Sequence, residues 1–349
     1  MPNYRFSGHE TFPCRYAWLP KAFGALQRNQ RIFSDEERAS VEMGVGKNMV
    51  RAIRFWVQVT GVAEPAANGS YELTPFGKLL LGSRGLDRFL EDRRTLWLLH
   101  WKLLSHVEEP LFAWDYLINR WTQPEISREE VVKTFELEAK RIDRKLSRVT
   151  LEQHFDVFLH TYTPTRSRKG EIQEDNLDCP LVELELIKQI GERNLGGGSE
   201  RREPVYAFRR EPKSDITSEL FIYCLYDYWQ KRRPNEATLT FRDVSVSHGS
   251  IGQVFKLPEM DVRERLERLE ADSSGLFIYQ ESAALQRVIC SDRQGVSERE
   301  LLRAIYQLEN SNDFTEVDAE LNPLQIQNLR REGNSQGQLF ANHERVAHD

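Results

Sequence analysis

The sequence predicts a mainly α-helical chain of the α+β class, divided into an N-terminal winged helix-turn-helix, a central helical region and a C-terminal winged-helix-like unit. Three observations carry this. Helical amphipathic periodicity recurs along most of the 349 residues. Short hairpins follow helical pairs twice. The length exceeds a single core at roughly 100 to 200 residues per domain. The expected boundaries are 1–90, 91–205 and 206–308, with a polar, weakly periodic tail over 309–349 in which only "NPLQIQNL" has a folding pattern.

In the first unit, "SDEERASVEMGVG" predicts a helix capped by Ser34, acid-rich in its first turn and ended by a turn through Gly44 and Gly46. The next helix spans 47–60. Met49, Ile53, Trp56 and Thr60 keep the rhythm of a buried stripe, and Lys47, Arg51, Arg54 and Gln58 repeat it about half a turn away. Gly61 closes that helix, "ANGS" turns a hairpin between strands at 62–64 and 70–73, and Thr74 with Pro75 opens another helix. In a winged helix-turn-helix the second helix enters a groove of double-stranded DNA while the hairpin tip meets the backbone or minor groove. Lys47, Asn48, Arg51, Arg54 and Gln58 are then the DNA-binding face, with Asn48 or an arginine able to make a bidentate base contact. The alternative for the same pattern is a solvated face on a winged helix that contacts protein.

In the central region, Trp97, Trp101, Trp114 and Trp121 recur at helical spacing and predict core helices. "ISREEVVKTFELEAKR" reads as a helix with a Ser127/Glu130 capping box, and "VTLEQHFDVFLHTYTP" as one started by Thr150, giving a second helix-turn-helix-like pair. The basic segments "KRIDRKLSR" and "TPTRSRKG" either track a phosphate backbone or form solvated turns. "NLGGGSERREP" predicts a loop separating a helical "CPLVELELIKQI" from a strand in "PVYAFRR".

From Ser214 a long amphipathic helix, a short strand or helix start in "TLTFRDVSV", a charged helix in "DVRERLERLEADSS" and two strands about a turn at Glu281 to Ala284 repeat the winged order. The second of these helices alternates Arg with Glu, which suits partner contact or packing better than a polyanion.

Charge sets the function classes in play. The chain carries a formal net charge of -6, yet residues 1–100 hold 14 Lys+Arg against 10 Asp+Glu, so the basic character lies with the winged unit. No apolar run approaches the ~18 residues of a membrane span, and the N-terminus lacks a secretory pattern, which together predict a cytoplasmic protein with no membrane partner. Cys14, Cys179, Cys224 and Cys290 are too scattered for a zinc site and are expected to be reduced; His154 and His160 also miss metal-ligand spacing. No phosphate loop, GxSxG elbow or HExxH motif is present. The best catalytic candidates are His9, Glu10 and Arg15, an acid/base pair beside a phosphate-binding arginine. The competing reading is a segment pinned to the core by Phe12, Tyr16 and Trp18. Asp178, Glu183, Glu185 and Lys188 are faintly like a metal-dependent nuclease, but such acids belong on strands and this run reads as helical.

"FSGHETFP", "RYAWLPKAF", "GVGKNMVRAIRFW", "LTPFGKLLL", "NLDCPLVELELI" and "FKLPEMDVRERLERLE", in that order over about residues 5–305, resemble the SspB-like proteins of bacterial single-stranded DNA phosphorothioation systems. The resemblance implies a role in backbone sulfur modification for anti-phage defence, beside a cysteine desulfurase and a PAPS-reductase-like protein, with members regarded as nicking the strand to be modified. A nickase would call for a divalent metal such as Mg²⁺. The resemblance transfers no catalytic constellation residue by residue, and it leaves open a non-catalytic DNA-binding regulator or a scaffold for the sulfur-transfer enzymes.

Overall fold

Local capping decides where the first helices start. The computed structural model describes residues 2–164, 179–194, 202–282, 285–293 and 295–306. Helix α1, Trp18–Arg28, buries Trp18, Leu19, Ala22, Phe23 and Leu26. Helix α2, Glu36–Met43, is capped by Asp35, whose carboxylate accepts from the Glu37 and Arg38 N–H groups. Ser34 was the expected cap; it instead ends a short 3-10 turn and donates to the Gly69 carbonyl at 3.1 Å. An ionised carboxylate is favoured at that end by the helix dipole. Gly44, at φ 65, ends α2 in the left-handed region, and α3, Lys47–Val59, begins three residues later.

Strands β1, Ala63–Pro65, and β2, Tyr71–Leu73, pair antiparallel around Asn68 (φ 57) and Gly69 (φ 72). That tip adopts the positive φ values that Asn and Gly tolerate best. Helix α4, Pro75–Leu81, follows, with the Thr74 hydroxyl accepting from the Gly77 N–H as the sequence predicts.

Helices α5, Arg93–Leu104, and α6, Phe112–Asn119, form the interior, and the four expected tryptophans are buried. Helix α7, Arg128–Arg141, has Ser127 at its cap position but no capping box: the Ser127 hydroxyl is buried without a partner, and Glu130 is drawn into an ion pair with Arg193. Helix α8, Arg148–Tyr162, is started by Ser147 rather than Thr150, its hydroxyl accepting from the Thr150 N–H at 3.0 Å.

The run "CPLVELELIKQI" is not one helix. Pro180–Leu184 makes a 3-10 turn, Glu185 turns left-handed at φ 46, and Ile187–Asn194 becomes strand β3, paired with β4, Arg202–Phe208. A left-handed residue cannot continue an α-helix, and the Ile126–Tyr206 bridge gives the hairpin a neighbour. Most of "TPTRSRKG", Asp178 and the tail lie outside the described residues.

Helix α9, Ser218–Arg232, leads to β5, Thr238–Thr240, and the short helices α10, Phe241–Ser245, and α11, Ile251–Phe255. Helices α12, Glu259–Glu267, and α13, Leu269–Asp272, precede β6, Phe277–Ser282, and β7, Leu285–Cys290, in a sheet of order β5-β7-β6; α14, Glu298–Ala304, closes the described chain.

Helices dominate this α+β fold, and the buried apolar side chains form one contiguous cluster from Tyr4 to Ile305. Polar groups on α5 reach its neighbours. His100 meets the Tyr162 hydroxyl at 2.8 Å and the Val254 carbonyl at 3.0 Å, and Trp101 donates its indole N–H to Asp227 at 2.9 Å. Burial pushes His100 down to about 4. The ring is therefore neutral, donating from Nε2 to the carbonyl and accepting at Nδ1. Among the described residues, no helix is long and apolar enough to cross a membrane.

Candidate nucleic-acid interface

Helix α3 is placed by two glycines and by its apolar side. Gly46 caps it with extended backbone and no side-chain bond, and its first turn carries no acid. Val50, Ile53, Phe55, Trp56 and Val57 are buried, with Met49 only partly so; the apolar side is thus wider than a single stripe. Lys47 and Asn48 are exposed, and Arg51, Arg54 and Gln58 half-exposed, so the five predicted residues share the outer side of one helix.

That side is not bare. The Arg51 guanidinium makes two 2.8 Å bonds to the Glu36 carboxylate, and Lys47 reaches Glu37 at 2.8 Å. The Arg51 bonds hold Glu36 below the usual carboxylate range. Arg51 is still 42% exposed in this pair, and Arg54 makes no ion pair among the described residues. The acid-rich first turn of α2 therefore does two jobs, favouring its own helix dipole and partly neutralising α3. Only the first was legible from the sequence.

The N-terminal segment lies along the same helix. Gly8, at φ +113, sits against Phe55, where a Cβ would come within 2.7 Å of the ring. Trp56 donates its indole N–H to the Phe12 carbonyl at 3.0 Å, and the Arg5 guanidinium stacks over Phe55 at 5.1 Å. Glu10 adds a charge that favours protonated Arg51. Glu10 and Thr11 have φ values of 49 and 68, marking a tight turn beside the cationic face. Two groups of residues selected separately in the sequence are thus neighbours here.

Within the proposed catalytic group, the side chains do not converge. Arg15 stacks on Trp18 at 5.5 Å. His9 is only 4% exposed, and its Nε2 meets His154 Nδ1 at 3.0 Å. The Ala113 N–H donates to His154 Nε2 at 3.0 Å. That makes His154 Nε2 an acceptor, leaves the His154 proton on Nδ1, and directs it to His9 Nε2. With Nε2 accepting, the neutral His9 ring carries its proton on Nδ1 and does not also accept from the Thr11 N–H, which lies 3.3 Å from that nitrogen. Enclosed in this way, the His9 imidazole faces the interior, where it ties the N-terminal segment to α6 and α8. His154 was missed as its partner because nothing in sequence links positions 145 residues apart.

Burial pushes His9 down to about 4 and His154 well below the ordinary histidine range. The folded pair binds protons less readily than the unfolded chain, so stability is fully present above about 6.5 and is lost as pH falls toward about 4. We expect a loss on the order of 3 kcal/mol from His9 across that window. Thermal melts from neutral to acid pH check this, and the acid-side slope flattens in His154→Phe. An unchanged slope in that variant would disprove the assignment.

The other acidic candidates are dispersed. Glu183 accepts from the Tyr16 hydroxyl, while Glu185 pairs with Arg209 and lies 3.6 Å from Lys188. Among the described residues, no group of three His, Cys, Asp or Glu is placed to hold a metal ion. None of the four cysteines forms a disulfide, and burial pushes the Cys14 and Cys224 thiols up, away from nucleophilic character. In the C-terminal unit, α12 holds its arginines in place: Arg263 pairs with Glu281 and Arg265 with Asp261.

The sequence model of the family described as "Protein of unknown function (DUF4007)" matches residues 6–306. Two solved structures share the fold. A structure described as "Magnesium ion-bound SspB crystal structure" superposes with a TM-score of 0.74 at 24% identity, over 92% of this chain and 91% of that one. Another, described as "SspB crystal structure", gives a TM-score of 0.77 at 23% identity, over 95% of this chain and 97% of that one. No curated protein matches the chain.

Proposed function

The chain belongs to the DUF4007 family, and from that premise we propose that it is a DNA-binding component of a DNA phosphorothioate-modification system, engaging double-stranded DNA through the outer side of α3. The observation that carries this reading is that face: Lys47, Asn48, Arg51, Arg54 and Gln58 side by side on a helix with an open N-terminus. The order α2, glycine turn, α3, β1–β2 hairpin supports a winged helix-turn-helix, with Asn68 and Gly69 at the wing tip. The fold likeness to SspB structures supports a place in such a system, and the sequence resemblance implies a cysteine desulfurase and a PAPS-reductase-like protein as partners. The ion-paired α12 favours the C-terminal unit for protein contact.

The magnesium in the related crystal structure belongs to that protein. His9 is enclosed, and the segment carrying His9, Glu10 and Arg15 shapes the edge of the DNA-binding face.

The test is fluorescence anisotropy with duplex oligonucleotides over a salt series. Binding should weaken steeply with salt. Glu36→Gln, which releases Arg51 from its internal partner, should tighten binding about 2- to 5-fold, the worth of one exposed ion pair. Absence of salt-dependent duplex binding, or weaker binding by Glu36→Gln, would count against the proposal.

A further inference from the structure

Three elements meet at a second charged cluster: the end of α6, the last residue of α9 and the turn between α10 and α11. Asp115 on α6 is buried with both carboxylate oxygens engaged. Oδ2 accepts from the Tyr4 hydroxyl at 3.1 Å and from the Arg120 guanidinium at 2.8 Å. Oδ1 accepts from the Asn119 amide at 3.3 Å and from His248 Nε2 at 2.8 Å. His248 itself is 41% exposed. With Nε2 donating, the neutral ring presents its lone pair at Nδ1, where Arg232 Nη1 stands 3.4 Å away. Arg232 is half-buried and makes no ion pair among the described residues. Its Nη2 donates to the Leu104 carbonyl at 3.0 Å, which uses one of its five N–H groups. The turn is shaped around this guanidinium: a Cβ on Gly249 (φ +73) would come within 2.4 Å of Arg232 Nε, and the Gly249 N–H is held by Asn119 Oδ1 at 2.9 Å.

The contact between Arg232 and Nδ1 is longer than the roughly 2.7–3.2 Å of a good N–H bond, so neither group is well satisfied by the other. An anion set against both replaces one weak contact with two charge-assisted bonds. The ring takes up a proton as the anion arrives, donates from Nδ1 to it, and keeps Nε2 on Asp115. Asp115 does not oppose this: it lies across the ring from Nδ1, and Arg120 already balances its charge. We propose that His248 and Arg232 form a binding site for a phosphate group, either free or within a nucleic-acid strand. A tetrahedral oxyanion offers separate oxygens to the imidazole and to the planar guanidinium, which a point anion such as chloride does not. The inference does not depend on DNA contact by α3.

NMR of the full chain with labelled histidine tests it, the His248 ring signals being those missing from His248→Gln. Titration with inorganic phosphate should move them saturably toward imidazolium positions, and sodium chloride at matched ionic strength should not. Arg232→Gln should weaken phosphate binding about 10-fold. Gly249→Ala, whose added Cβ displaces the guanidinium, should weaken it as well and gives a second variant should the first fail to fold, with circular dichroism as the check. A duplex oligonucleotide that competes with phosphate at His248 identifies a strand backbone as the source; a duplex that leaves the phosphate response unaltered identifies free phosphate. No saturable response to phosphate, an equal response to chloride, or full affinity in both folded variants overturns the proposal.

Discussion

Replacing Arg51 and Arg54 together with alanine is expected to weaken duplex binding on the order of 10²-fold, because a good contact to a base or phosphate contributes about 1–3 kcal/mol. The slope of log affinity against log salt should fall by about 2, one for each phosphate-neutralising charge removed. Folding should scarcely change. Arg51 makes an exposed pair worth ~0.2–1 kcal/mol, and Arg54 makes none among the described residues. Anisotropy between about 50 and 200 mM salt, with a urea melt as control, separates the two effects. Unaltered affinity and slope would remove α3 from the interface, whatever the chain binds elsewhere.

The second large effect concerns stability. Asp227 is 5% exposed on α9, and it holds Lys231 at 2.9 Å with one oxygen and the Trp101 indole N–H at 2.9 Å with the other. Burial alone would raise its pKa, but the ammonium groups of Lys102 and Lys231 hold it below the usual carboxylate range. Asp227→Ala removes the acid that holds Lys231 and acts on Lys102, and strands the indole N–H. Breaking a buried pair from one side costs roughly 3–5 kcal/mol. Urea unfolding should show a lower midpoint with an unchanged slope. Asp227→Asn keeps an acceptor for Trp101 and should lose less. Equal losses in the two variants would mean that the charge carries the whole effect and the Trp101 hydrogen bond contributes nothing.

Much of the architecture was legible because periodicity and turn chemistry act locally. The α3 stripe, the Asn68–Gly69 tip and the Thr74 cap all follow from residues within one or two turns of each other. Helix starts were less legible where two capping residues lie within three positions of each other: Asp35 prevailed over Ser34, and Ser147 over Thr150. The β3 strand was misread because a helical apolar rhythm continues through Glu185, whose left-handed turn the sequence does not announce. In the interface, the cations were visible but their acidic partners were not, since Glu36 pairs across a turn with a residue 15 positions away. The enclosure of His9 was not legible either, since its partner His154 is 145 positions distant.

Glu36 and Glu37 already occupy two of the three α3 cations before any polymer arrives. Sparse or singly charged solutes gain little by evicting carboxylates that are covalently held in place. A duplex, whose charges come in dense regular rows, can evict both in one event. On the proposed DNA-binding role, the two acids set a threshold on charge density that a concentrated polyanion passes and ordinary anions do not.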